Sequence, residues 1–255
     1  MASIFVKPMW YRRFAALFGI YLLAHQGALA QSRVVSVSIA GTLNKLHVGQ
    51  LRAAIDRMRG DPLPTGLIII LDSAGGDGRA AIEMGRMARE KNAHIFVKGT
   101  CRSACALLFA GGVYRDARAF SIGIHRGRIT RSVPGVGEVD VDPAIDPRVG
   151  EVLEFVERET HDYLLEMGLP RLFDAMQKTP SSQIRLLSTD EAAELGLLGF
   201  DVAYLERQSV AVKSRYGISR EQLLERTARV RDRCEPELAQ PSKFVACYRP
   251  AMMKE

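Results

Sequence analysis

The chain has 255 residues, of which 47% are hydrophobic and 25% are charged, which is typical of a globular protein with one ordinary core. The formal net charge is +6, but three positive charges, Lys7, Arg12 and Arg13, stand at the N-terminus, and without them it is +3. The other charges are interspersed with no long basic block, which argues against a nucleic-acid partner.

The first thirty residues predict a secretory signal peptide. The three N-terminal positive charges precede an apolar stretch at 14–24 that is too short to span a bilayer, and Ala28-Leu29-Ala30 has the small-x-small pattern of a cleavage site. The mature chain would start at Gln31 and be periplasmic or secreted, with an uncleaved anchor as the alternative. No later segment is apolar and long enough for a membrane span, so none is expected after cleavage.

Strands and helices alternate along the rest of the chain, which predicts an α/β fold with a largely parallel sheet. Residues 127–147 contain three prolines and predict a loop. We expect one domain at 31–207 and a helical, Pro-containing extension at 208–255. Strands are predicted at 34–39, 67–71, 94–97, 119–124 and about 201–205, and helices at 46–58, 78–90, 103–110, 149–167, 170–177, from about 188, and from about 217.

The four cysteines predict disulfides, because their number is even and the chain carries an export signal. Of the three possible connectivities, their grouping in the sequence favours Cys101–Cys105 and Cys234–Cys247. In the alternative, Cys101 and Cys105 are unpaired small residues that pack at the start of a helix.

Three segments contain the residue types of an acyl-transfer site. LDSAGGDGR at 71–79 is a strand that runs into a paired-glycine turn, GTCRSACALLFAGG at 99–112 places a serine at the tip of a small-residue helix, and GIHRG at 123–127 ends a strand with a histidine. Together they can supply backbone donors for an oxyanion, a nucleophile and a base.

This order and spacing resemble the Clp-protease/crotonase superfamily, most closely its serine peptidase branch, the Clp proteolytic subunit and its secreted bacterial relatives. The resemblance covers roughly residues 34–206 and includes RLLSTDEAAELGLLGFDV at 185–202. It implies a Clp-protease/crotonase-like fold of repeated β-β-α units with a largely parallel sheet. It also implies a homo-oligomer, with the helix at 149–167 as its contact.

The resemblance assigns a role to six residues. The roles are nucleophile for Ser103, base for His125, oxyanion-hole donor for the amides of Gly76 and Ala104, and substrate contact for Gly75 and Asp77. Each residue type also has a structural explanation: serine often caps a helix, a strand-end histidine can bond a backbone carbonyl, and paired glycines can form a plain turn. Cys105 is a further candidate for the nucleophile.

The group that orients His125 is not fixed by the sequence. The family has an aspartate where this chain has Thr179-Pro180, and Asp174 is out of register with it. A hydroxyl, a backbone carbonyl or Asp174 could therefore orient the imidazole. No lysine after Ser103 stands at the spacing of a serine–lysine dyad.

These observations predict an exported serine hydrolase, most specifically a peptidase acting on a peptide or protein substrate, without a cofactor or a metal. One alternative is a non-catalytic binding protein on the same fold. The other is a crotonase-type acyl-CoA enzyme, against which export argues.

Overall fold

The computed structural model describes residues 33–59, 65–141 and 147–253, so the predicted signal peptide lies outside the described residues. The secondary structure elements are, in chain order, β1 (Arg33–Leu43), α1 (Lys45–Arg59), β2 (Thr65–Gly76), α2 (Gly78–Glu90), β3 (His94–Arg102), α3 (Ala104–Ala110), β4 (Tyr114–Asp116), β5 (Ile122–Ile124), β6 (Thr130–Val133), β7 (Gly137–Asp140), α4 (Pro147–Glu166), α5 (Pro170–Gln177), β8 (Arg185–Leu186), α6 (Thr189–Glu194), β9 (Gly199–Phe200), α7 (Val202–Tyr216), α8 (Arg220–Cys234), a 3-10 turn (Glu235–Ala239) and α9 (Pro241–Met253).

The fold is α/β with a mostly parallel sheet, as predicted. Strands β1, β2, β3 and β4 pair in that order and run parallel, and β9 adds an antiparallel edge to β4. Beyond β4, β3 pairs in parallel with β5, and β5 pairs antiparallel with β8. Because β2 and β3 extend to Gly76 and Arg102, further than the sequence suggested, both deliver their last residues to the same end of the sheet.

Both faces of the sheet are buried. Ile69 and Leu71 of β2 belong to the larger core, which helices α1 to α6 cover, whereas Ile68 and Ile70 belong to a second core on the other face. This second core is closed by the C-terminal helices, which supply Val230, Cys234, Leu238, Phe244 and Ala251. The C-terminal segment is thus part of the packed molecule, and α7 runs without a break across the predicted boundary at 207/208.

The strand expected at about 201–205 is a prediction that the structure corrects. The strand β9 ends at Phe200, and α7 begins at Val202. The Asp201 carboxylate accepts a hydrogen bond from the amide of Tyr204 at 2.7 Å. Asp201 is therefore an N-cap, and a cap residue favours a helix start over continued strand.

The segment predicted as a loop contains a β-hairpin formed by β6 and β7. Its turn is Val133-Pro134-Gly135-Val136, in which the amide of Val136 donates to the carbonyl of Val133 at 3.0 Å and Gly135 has a φ of +79°. Proline followed by a glycine with positive φ is the chemistry of a type II turn. Pro134 therefore belongs to a hairpin turn rather than to an irregular loop.

Two disulfides are present, with the predicted pairing. Cys101–Cys105 spans the junction of β3 and α3, with its Cα atoms 5.1 Å apart, and Cys234–Cys247 joins the end of α8 to α9, with its Cα atoms 5.6 Å apart. The suggestion that Cys105 is a nucleophile is wrong, because its sulfur is bonded to Cys101 and is no free thiol.

In the described part of the chain, no helix has both the length and the apolar character that crossing a membrane requires.

Candidate active site

The glycine turn at the end of β2 is held by a buried serine. Gly75 and Gly76 have φ angles of +110° and +138°, which side chains rarely allow. The hydroxyl of Ser73, which is 2% exposed, donates to the carbonyl of Gly41 at 2.5 Å and accepts from the amide of Gly75 at 3.1 Å. Sequence reasoning missed Ser73, although a polar residue at the end of a buried aliphatic strand is a signal that it bonds locally.

Ser103 joins β3 to α3 in an unfavourable backbone conformation, with φ of 54° and ψ of −129°. Its side chain makes no capping hydrogen bond to α3. Two other serines of this chain do cap helices: Ser188 accepts from the amide of Glu191 and Ser219 from the amide of Gln222, both at 3.2 Å. The side-chain capping role does not apply to Ser103, and positive φ in a non-glycine residue is typical of strained functional positions.

Two other segments converge on Ser103. A Cβ added at Gly75 would lie 2.7 Å from the Ser103 Cβ and 3.2 Å from the Ala104 nitrogen, so only glycine lets the β2 turn come this close. From the opposite side, the amide of Ser103 donates to the carbonyl of Gly123 at 2.9 Å. Ser103 is therefore fixed between the glycine turn and the strand that ends at His125.

The two amides predicted to hold an oxyanion lie at this junction. Ala104 is the first residue of α3, and its amide has no acceptor among the residues that the structure describes. Gly76 is paired with Leu43 of β1, and a Cβ there would come within 2.5 Å of the Leu43 carbonyl oxygen. Position 76 thus requires glycine because a side chain there would collide with β1. The role of the Gly76 amide as an oxyanion-hole donor stays a prediction.

His125 follows β5 and is 5% exposed. Its Nδ1 lies 2.7 Å from the carbonyl oxygen of Arg126. Because a carbonyl only accepts, Nδ1 carries the proton in this bond and Nε2 keeps a lone pair. Burial lowers the pKa of His125 below the usual 6.5, and the bond to the Arg126 carbonyl offsets part of this effect. The imidazole is therefore neutral at pH 7, as a general base must be.

Among the residues that the structure describes, the backbone carbonyl of Arg126, and no carboxylate, bonds Nδ1 of His125. Asp174 is exposed on α5, and the described hydrogen bonds include none between it and His125. The segment at Thr179-Pro180 does lie beside the histidine loop, because the amide of Arg126 donates to the carbonyl of Thr179 at 2.9 Å. Thr179 is buried, and its hydroxyl donates to the carbonyl of Ala175 at 3.0 Å.

Asp77 is the N-cap residue of α2. Its carboxylate caps α2 by accepting from the amides of Arg79 and Ala80, at 2.9 and 3.1 Å. Substrate contact by Asp77 stays a prediction.

The structure thus gathers Gly75, Gly76, Ser103 and Ala104 into one junction, with His125 two residues beyond the strand position that Ser103 bonds. No hydrogen bond joins Ser103 to His125 in the portion described, and in many unliganded enzymes such bonds tighten only with substrate. Over the same residues, no group of three or more His, Cys, Asp or Glu side chains is arranged to hold a metal ion.

Neither the models of known protein families nor the curated proteins contain a match to this chain.

Proposed function

We propose that this protein is an exported serine peptidase of the Clp-protease/crotonase kind, with Ser103 as nucleophile and His125 as base. The observation that carries the proposal is the backbone conformation and packing of Ser103. It is held in a strained strand-to-helix turn, packed against Gly75, with a hydroxyl that does not cap its helix. Strain of this kind persists only where the surrounding structure enforces it, and it is concentrated at functional sites.

The proposed reaction uses only groups of this junction. Ser103 Oγ forms a bond to the carbonyl carbon of the substrate as its proton moves to His125 Nε2, and the amides of Gly76 and Ala104 stabilise the oxyanion. The oxyanion collapses, the C–N bond breaks, and the leaving amine takes the proton from His125. Water then attacks the acyl-enzyme in the same manner and frees Ser103 and a carboxylic acid.

Export is the second part of the proposal. Two disulfides fit an oxidising compartment such as the periplasm or the extracellular space. In that location a CoA thioester is not a ready substrate, which favours the peptidase over the crotonase-type enzyme.

Self-association through α4 is the third part. This helix leaves Val152, Phe155 and Leu165 about half exposed, and apolar side chains of this size can pack in a subunit interface. We expect a homo-oligomer by light scattering, and Phe155→Glu should shift it to smaller species. A monomeric wild-type protein would contradict this part alone.

Labelling with a fluorophosphonate probe tests the chemistry. We expect the wild-type protein to be labelled on Ser103, and Ser103→Ala and His125→Ala to abolish labelling while circular dichroism stays unchanged. Ser219→Ala, which removes a capping serine on α8, is the matched control and should keep labelling. An unlabelled wild-type protein would support the non-catalytic binding protein, because no carboxylate of the described residues bonds His125. Full labelling of Ser103→Ala would require another nucleophile.

A further inference from the structure

Arg102 is the last residue of β3 and stands directly before Ser103. Its neighbour Cys101 is buried in the larger core, so alternation along the strand places the Arg102 side chain on the other face. There it lies over Gly123, its partner in β5, where an added Cβ would be 3.0 Å from the Arg102 Cγ. A side chain at position 123 would displace the arginine.

Two aliphatic side chains complete the surroundings of the Arg102 stem. The same Cβ position on Gly123 is 2.6 Å from Ile184 Cγ2 and 3.2 Å from Leu186 Cδ2. Ile184 and Leu186 are 42% and 38% exposed. The methylenes of Arg102 therefore pack between apolar side chains that also face solvent, beside the proposed nucleophile.

The guanidinium of Arg102 has no partner within the described chain. Its Nε atom is buried without a hydrogen bond, and none of the ion pairs between described residues includes Arg102. Arg115 also has a buried Nε without a hydrogen bond, but its terminal nitrogens donate to the carbonyls of Ala110, Gly112 and Gly196. Arg89 pairs with Asp201. An unengaged guanidinium next to a reactive serine has the fork geometry that recognises carboxylates.

The carboxylates of the segments around Ser103 and His125 have other partners. Asp140 pairs with Arg128 at 3.0 Å, and Glu191 pairs with Arg185 at 2.7 Å. Asp77 is occupied by the amides of α2. The carboxylate of Asp72, on β2, accepts from the amide of Thr100 at 3.0 Å, so it too is bonded to backbone. The charge of Arg102 is therefore not matched by an ion pair among the described residues, and an unpaired guanidinium favours an anionic ligand.

We infer that the site accepts peptides with a carboxylate beside the scissile bond, and that Arg102 determines this specificity by binding it. This inference rests on the proposed peptidase function. The aliphatic walls of Ile184 and Leu186 suit the methylenes of a glutamate side chain. A free C-terminal carboxylate has the same chemistry, and the experiment separates the two.

The test compares quenched-fluorescent peptides that differ only beside the scissile bond, with Glu, Gln or Lys, each with an amidated and a free C-terminus. We expect kcat/KM of the wild-type protein to be about tenfold to hundredfold higher for Glu than for Gln, as an added hydrogen-bonded charge pair would give. Arg102→Gln should erase this ratio, and Arg102→Glu should favour Lys. Arg185→Gln changes an arginine of β8 that is paired with Glu191, and it should leave the preference intact.

Fluorophosphonate labelling of every variant, without peptide, separates the inference about Arg102 from the proposed peptidase function. Normal labelling with equal cleavage of Glu and Gln peptides, or a Glu preference that survives in Arg102→Gln, overturns the inference and leaves the peptidase standing. A preference that depends on the free C-terminus and not on Glu overturns the side-chain assignment. A wild-type protein that is neither labelled nor active on any peptide overturns both.

Discussion

Gly75 and Ser103 touch so closely that the position of one fixes the other. A Cβ at Gly75 would lie 2.7 Å from the Ser103 Cβ and 2.9 Å from the carbonyl oxygen of Arg102, and Gly75 itself has a φ of +110°. The turn after β2 and the turn after β3 therefore pack as one unit, and we expect a change in one to displace Ser103, the proposed nucleophile.

Gly75→Ala is expected to damage both stability and reactivity. The added methyl group combines the cost of positive φ, about 1–2 kcal/mol, with overpacking of about 1–3 kcal/mol. Gly217→Ala is the matched control, because Gly217 has a φ of +69° and nothing within 4 Å of the added Cβ. Urea unfolding should show a larger loss for Gly75→Ala than for Gly217→Ala, and only the former should slow probe labelling. Equal losses, or unchanged labelling, would contradict the expected displacement of Ser103.

Asp174→Asn is expected to leave the reaction nearly unchanged. A carboxylate that orients a catalytic histidine can be worth about ten-thousandfold in rate, but here the Arg126 carbonyl holds Nδ1 of His125 at 2.7 Å. Because burial lowers the pKa of His125, the labelling rate should fall only below pH 6.5, and the midpoint should be the same in the variant. A loss of a hundredfold or more in the labelling rate, with normal thermal stability, would show that Asp174 orients the base.

The elements that local sequence could predict are those whose burial pattern is unambiguous. The helix expected at 78–90 is α2, with the same ends, and the aliphatic run at 67–71 forms the doubly buried part of β2. The predicted strand at 201–205 failed because Val202, Ala203 and Tyr204 suit a short strand as well as a helix. The deciding interaction is the Asp201 cap, which acts at the boundary and not through periodicity.

The candidate site could be predicted only in part. The glycine turn, Ser103 and His125 follow strands whose carboxyl ends share one edge of a parallel sheet, so their proximity can be anticipated. The contact between the Arg126 amide and the Thr179 carbonyl, and the packing of Arg102 on Gly123, depend on how β3, β5 and β8 pair. Which strands pair when they are distant in sequence depends on the tertiary packing of the core, which a local sequence pattern does not show.

The Cys234–Cys247 disulfide is expected to stabilise the C-terminal helices α8 and α9, which pack on the second core. Closing a loop of this length is worth about 2–3 kcal/mol in the chain-entropy model, since the two residues are 13 apart in sequence. The double variant Cys234→Ala/Cys247→Ala should lower the free energy of unfolding in urea by about that amount. Limited proteolysis should then begin in α8 and α9. A variant with unchanged stability, and cleavage sites distributed over the whole chain, would contradict this role.

His94 connects the sheet to helix α9, and we expect its contribution to protein stability to depend on pH. It is the first residue of β3, its ring centroid lies 5.1 Å from that of Tyr114, and its Nδ1 is 2.9 Å from the hydroxyl of Tyr248 on α9. Burial lowers the pKa of His94 from 6.5 to about 4. Between these two pH values the unfolded chain binds a proton that the folded protein does not, so stability falls as the pH drops from 6.5 to 4.

The expected loss is about 2–3 kcal/mol over that window, at about 1.4 kcal/mol for each pKa unit. Other groups titrate in the same range, so the contribution of His94 is the difference between the wild-type profile and that of His94→Phe. The variant should be less stable at pH 7, because Tyr248 loses its partner, yet its urea midpoint should decline less steeply toward pH 4. His161→Gln, which changes a half-exposed histidine on α4, should parallel the wild-type curve. Parallel curves for the wild-type protein and His94→Phe would contradict the prediction. They would mean that His94 is not held neutral against Tyr248 and that its protonation does not affect the stability of the packing of α8 and α9.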